Sequence, residues 1–123
     1  MNVKKPRRGK FMKILIFEDE PMFIGVLEQV FKIQGFETIF SKNVDINDSI
    51  EDVEIIMIDF SCIDTISYLE ERQNNSNVIV MGGDIDEYEK EKIYSLGVKY
   101  ILDKPFQIDE LLKIIKKISL VPV

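Results

Sequence analysis

The stretch Ile14–Pro21, ILIFEDEP, runs four apolar residues into three consecutive acids and a proline. Its first half is short and apolar, as a strand covered on both faces requires. Its second half sets Glu18, Asp19 and Glu20 side by side, where like charges repel, and ends on Pro21, whose fixed φ suits the first turn of a helix. A buried strand that passes through acids into a helix begins a β-α-β chain, and the rest of the sequence repeats the alternation.

Further apolar runs of strand length lie at Phe36–Phe40, Glu54–Ile58, Val78–Met81 and Tyr100–Leu102, each bounded by polar, Gly or Pro residues. Between them, Phe23, Leu27, Val30 and Phe31 follow helical spacing up to Gly35, which is placed to end the helix. Asp64–Arg72 reads as a shorter helix with Asp64 as N-cap and Ile66 and Leu69 inward, closed by the polar run Asn74–Asn77. Ile85–Leu96 is mostly charged, with Asp86 and Lys90 spaced as an i,i+4 pair and Gly97 as its stop. Ile108, Leu111, Leu112, Ile115 and Ile118 draw one apolar stripe, and Asn43–Asp52 is assigned a short helix. The pattern predicts an α/β fold with a doubly wound, five-stranded parallel sheet and helices on both faces.

With 123 residues the chain forms one domain. The net charge of −6 hides an asymmetry: Lys4, Lys5, Arg7, Arg8 and Lys10 precede every acid, leaving eleven Lys and Arg against twenty-two Asp and Glu, a net of −11 over residues 11–123. Residues 1–11 read as a basic, disordered arm and residues 12–120 as the folded domain, whose acidity argues against direct nucleic-acid binding. No apolar run is long enough to span a membrane, and the stretch after the basic arm is interrupted by Lys13 and ends in acids, unlike a secretory signal. A single cysteine, Cys62, excludes an internal disulfide, fits a reducing cytoplasm and reads as a small hydrophobe near a loop. The absence of histidine excludes Cys-His catalysis, His-ligated zinc and a phosphohistidine relay within the chain.

In open parallel sheets, ligands sit beyond the carboxyl ends of the strands. Glu18 and Asp19 follow the first strand, Asp59 closes the third and Lys104 follows the fifth. If the first and third strands are neighbours, three carboxylates converge, and each pair repels by roughly 1 kcal/mol even at water's dielectric. Such a cluster calls for a cation, and magnesium, which takes oxygen ligands, is the natural occupant. For Glu20, and as an alternative for Glu18 and Asp19, negative charge at the positive end of the helix dipole is explanation enough.

KILIFEDEP, EIIMIDF, VIVMGGD and GVKYILDKPF together resemble, in order, the signatures of the response-regulator receiver domain of two-component signalling. The resemblance implies a flavodoxin-like sheet in strand order 2-1-3-4-5. It implies that Asp59 accepts a phosphoryl group from the phosphohistidine of a separate histidine kinase or phosphotransfer protein, or from a small phosphodonor. It further implies that Glu18, Asp19, Asp59 and the backbone carbonyl of Ser61 hold Mg2+, and that Lys104 contacts the phosphoryl oxygens and precedes a cis Pro105. No turnover of a free substrate is expected, a downstream protein would dock on the last strand and last two helices, and homodimerisation stays open.

Two positions depart from the family pattern. The Ser or Thr expected after the fourth strand falls at Gly82, followed by Gly83, and the switch aromatic falls at Ile101, with Tyr100 one place early and therefore on the opposite face. These departures favour an alternative, an atypical receiver that docks partners independently of phosphate. The Gly pair could also expose N–H groups to an anion, although a turn explains it as well. A flavin-binding flavodoxin shares the fold class, but acids stand where a phosphate-cradling loop would be needed.

Overall fold

The computed structural model describes residues 12–44 and 52–119. The basic arm lies outside the described residues, as do residues 45–51, on which most of the short helix assigned to Asn43–Asp52 falls. The chain alternates β1 (Lys13–Phe17), α1 (Pro21–Ile33), β2 (Glu37–Ser41), β3 (Ile55–Asp59), α2 (Thr65–Glu70), β4 (Val78–Gly82), α3 (Glu87–Ser95), β5 (Tyr100–Asp103) and α4 (Ile108–Ser119). The five strands form one parallel sheet in the order β2-β1-β3-β4-β5.

Every residue of the central strands β3 and β4 is buried, which is why these runs read as continuously apolar. The pleat then sorts side chains between two cores. Ile14, Ile16, Ile55, Met57, Ile79, Met81 and Leu102 pack against Leu27 and Phe31 of α1 and Leu111 and Ile115 of α4. Leu15, Phe17, Ile56, Ile58, Val78 and Val80 pack against Tyr68 and Leu69 of α2 and Ile93 of α3. Burying each such side chain is worth about 1.5–3 kcal/mol, so a one-residue slip that exchanged the faces would be costly. Tyr100 faces the α1/α4 core and Ile101 the α2/α3 core, on opposite faces as neighbouring strand residues must.

Local chemistry sets the ends. Pro21 opens α1 and Glu20 caps it, its Oε1 accepting from the Phe23 N–H at 2.6 Å. Gly35 follows in the left-handed region (φ 82°), as does Gly97 (φ 99°) after α3, where a β-carbon would be strained. Asp64 caps α2 as expected, but the helix stops at Glu70 rather than reaching Arg72, and the Leu69 carbonyl accepts from the Arg72 N–H and from Asn75 Nδ2 in place of a further helical turn. The expected Asp86–Lys90 pair is not formed. Asp86 instead builds a capping box with Glu89, and Lys90 reaches across to Asp103 (3.2 Å) and to Glu87 (3.8 Å).

Candidate phosphoacceptor site

Strand order brings the chemistry together. Glu18 is the first residue past β1, Asp59 the last of β3 and Lys104 the first past β5. All three continue the pleat parity of the α1/α4 face, after Ile16, Met57 and Leu102. The lysine backbone is fixed by its N–H donating to the Gly82 carbonyl at 2.8 Å, and the Lys104–Pro105 bond is cis. From there Nζ donates to Asp59 Oδ2 at 2.6 Å and to Glu18 Oε1 at 3.0 Å.

Both carboxylates are taken out of water, Glu18 being 1% and Asp59 7% exposed. Asp59 Oδ1 accepts from the Ser61 N–H at 2.9 Å and from Ser61 Oγ at 2.7 Å, so each of its oxygens is engaged. Burial pushes the Asp59 pKa upward, but the hydrogen bonds from Lys104 and Ser61 outweigh it and hold the group below the usual aspartate value. In Glu18 burial wins over the same lysine, and its carboxyl titrates above the usual range. For Lys104 burial lowers the pKa, and the hydrogen bonds to Asp59 and Glu18 more than reverse it, so the ammonium is secure at neutral pH.

Asp19 is exposed at the same end of the sheet. With Asp59 and Glu18 it acts electrostatically on the Cys62 thiol, which places three negative charges in one neighbourhood. As the side chains stand, no three His, Cys, Asp or Glu side chains among the described residues form a metal-binding group, and the Lys104 ammonium bridges Glu18 and Asp59. The donor set is nonetheless of the hard, oxygen-rich kind that suits magnesium.

The structure therefore joins Glu18, Asp59 and Lys104 directly and leaves Asp19 at the rim. Gly82 lies at the end of β4, where a β-carbon would stand 2.9 Å from Ile85 Cγ1. Beside Ser61 a cavity of about 220 Å3 is lined by Phe60, Ser61, Gly82, Gly83, Asp84 and Ile85. Two contributors escape sequence reading. The Ser61 side chain bonds the Asp59 carboxylate, whereas the sequence pointed only to its carbonyl. Phe23, which fits the apolar stripe of α1, also places its ring 4.3 Å from Lys104 Nζ.

Comparison with known proteins agrees with the fold. The family described as the response regulator receiver domain matches residues 14–116. A CheY-like response regulator receiver domain protein from Methanospirillum hungatei is 18% identical, with a TM-score of 0.77 over 89% of this chain and 94% of that one. A response regulator from Chloroflexus aurantiacus is 22% identical, with a TM-score of 0.75 over 89% and 98%. The receiver domain of a sensor histidine kinase from Pseudomonas aeruginosa, described with magnesium coordinated in its active-site cleft, is 18% identical, with a TM-score of 0.67 over 89% and 98%. At these identities the structures show a common fold. No curated protein matches the chain.

Proposed function

The chain belongs to the response-regulator receiver domain family, and from that premise we propose that Asp59 is a phosphoacceptor. The carrying observation is the buried Asp59 carboxylate at the end of β3, held ionised by Lys104 at 2.6 Å with Glu18 beside it. In the reaction an Asp59 oxygen attacks phosphorus, an acyl phosphate O–P bond forms, and the bond to the donor breaks, its electron pair leaving with the imidazole of a phosphohistidine or with acetate. The obstacle is an anion approaching an anion, so positioning and charge compensation carry the catalysis. Lys104 supplies one positive charge by transferring its contact from Asp59 to the arriving oxygens. Mg2+ held by Glu18, Asp19, Asp59 and the Ser61 carbonyl would supply the other.

The group would come from the phosphohistidine of a separate histidine kinase or phosphotransfer protein, or from a small phosphodonor, as in the family; the chain itself has no histidine to carry it. Output would pass to a downstream protein through α3, β5 and α4, where the Lys90–Asp103 pair ties helix to strand. The protein works as a cytoplasmic signalling module without a free substrate to turn over. Incubation with Mg2+ and acetyl phosphate should add one phosphoryl group by intact mass, and Asp59→Asn should abolish it. A wild-type chain that stays unmodified would sink this reading.

A second reading, a phosphate-independent docking module, is favoured by one observation. Ile85, not a hydroxyl, occupies the space in front of position 82. Modification that leaves the backbone amide spectrum of α3 and β5 unchanged would select it.

A further inference from the structure

We propose that Phe23 is a positioning residue for Lys104, its ring face holding the ammonium over the Asp59–Glu18 pair; the catalytic consequence rests on the acceptor reading above. The ring centroid lies 4.3 Å from Nζ, within cation–π range. Nζ also donates to two carboxylates, so acids and the negative face of a π system surround it.

The ring is itself held. Phe106, two residues after Lys104, meets it edge-on at 5.7 Å between centroids and 82° between planes. The Phe23 backbone N–H donates to Glu20 Oε1 at 2.6 Å, so the third opening acid, which bonds neither Asp59 nor Lys104, caps the helical turn that carries the ring. A lysine is a point charge on a flexible four-carbon stem. Lys104 is 23% exposed, and without a wall on the α1 side its head is free to turn toward water. Leucine at position 23 would fill much of the same apolar space but present no negative face.

When a phosphoryl group arrives, Nζ has to leave Asp59 Oδ2 for the new oxygens without leaving the site. An aromatic face permits that pivot, because its attraction does not depend on a single hydrogen-bond direction.

The test compares wild type, Phe23→Leu and Phe23→Tyr, labelled with acetyl phosphate at saturating Mg2+. Phe23→Leu should slow modification of Asp59 by roughly 3- to 10-fold, and Phe23→Tyr should restore it to within about twofold. In the unmodified protein the Lys104 Hε protons should be shifted upfield by the ring current in wild type and Phe23→Tyr, and lose that shift in Phe23→Leu. Should Phe23→Leu fail to fold, Phe23→Met serves the same comparison. Equal rates in the Leu and Tyr variants, or unshifted Hε protons in wild type, overturn the proposal. If wild type takes up no phosphoryl group, the acceptor reading fails separately, and the Hε shifts decide the placement of Lys104 by Phe23.

Discussion

A β-carbon at Gly82 would stand 2.9 Å from Ile85 Cγ1, 3.0 Å from Ile85 Cδ1 and 3.4 Å from Phe60 Cβ. Ile85 is only 7% exposed, so its side chain has little room to withdraw. Introducing the hydroxyl residue of the family pattern is therefore an overpacking change. Gly82→Thr should lower unfolding free energy by about 1–2 kcal/mol, and Ile85→Ala in the same chain should relieve the crowding. Urea unfolding of the three variants checks this, and an additive double mutant would show that the contact is not the cause. Cys62 reports on the same site from the other side. Burial, then Asp19, Asp59 and Glu18, push its thiol up to about 11. At pH 8 it should carry roughly 100-fold less thiolate than a cysteine of ordinary pKa 9.0 and alkylate correspondingly slowly. A cation held by the three acids would offset their charge. Excess magnesium should therefore accelerate alkylation in wild type and have much less effect in Asp59→Asn; a rate indifferent to magnesium in wild type would count against a metal at these acids.

At the scale of elements, Asn75 closes two helices at once. It is 4% exposed, and its Nδ2 donates to the Leu69 carbonyl of α2 at 3.0 Å and to the Leu96 carbonyl behind α3 at 2.8 Å, while Oδ1 accepts from Arg72 Nε at 3.0 Å. Asn75→Ala takes this donor from the Leu96 carbonyl, while the Leu69 carbonyl keeps the Arg72 N–H at 3.2 Å, and should cost about 1–3 kcal/mol, with hydrogen exchange rising first at the C-terminal ends of α2 and α3. Uniform destabilisation without that local signature would argue for a different cause. In the sequence Asn75 looked like one member of a polar break, because composition marks a turn but not which residue of it points inward. The strands were legible for the opposite reason: runs such as Val78–Met81 are apolar on both faces and have no other use. Their ends moved by one residue where pairing continues past the apolar run, as where Asp59 pairs with Met81. The Asp86–Lys90 spacing misled because a capping box and the distant Asp103 both compete for those side chains, and only the latter depends on the fold. That Glu18, Asp59 and Lys104 would meet was readable because each stands at the carboxyl end of a strand of one parallel sheet. Phe23 was not, since its apolar stripe already accounted for it.

For the whole molecule, the Glu18–Lys104–Asp59 cluster links the ends of β1, β3 and β5 across the sheet and contributes to its response to pH in opposing directions. Asp59 titrates below its ordinary 3.8 in the folded state, so its contribution is present above 3.8 and is lost as pH falls through the depressed value. Glu18 titrates above its ordinary 4.5, so its ionisation opposes folding, and protonation relieves that cost as pH falls through the raised value. Lys104, raised above 10.5, contributes fully below 10.5 and loses its contribution as pH rises through its folded value. Lys104→Met removes the shared partner and leaves two buried carboxylates facing each other. At pH 7 this should cost about 3 kcal/mol, the lower end for a broken buried pair because the lysine is 23% exposed. Without the ammonium both acids are driven toward their neutral forms, so the penalty should shrink as pH falls from 7 to about 5, whereas wild type loses the Asp59 contribution only below 3.8. Urea unfolding of both proteins across that interval measures the difference directly. A Lys104→Met penalty that stays constant with pH would mean that the carboxylates are not held together by the lysine, and the charge logic of the site would have to be abandoned.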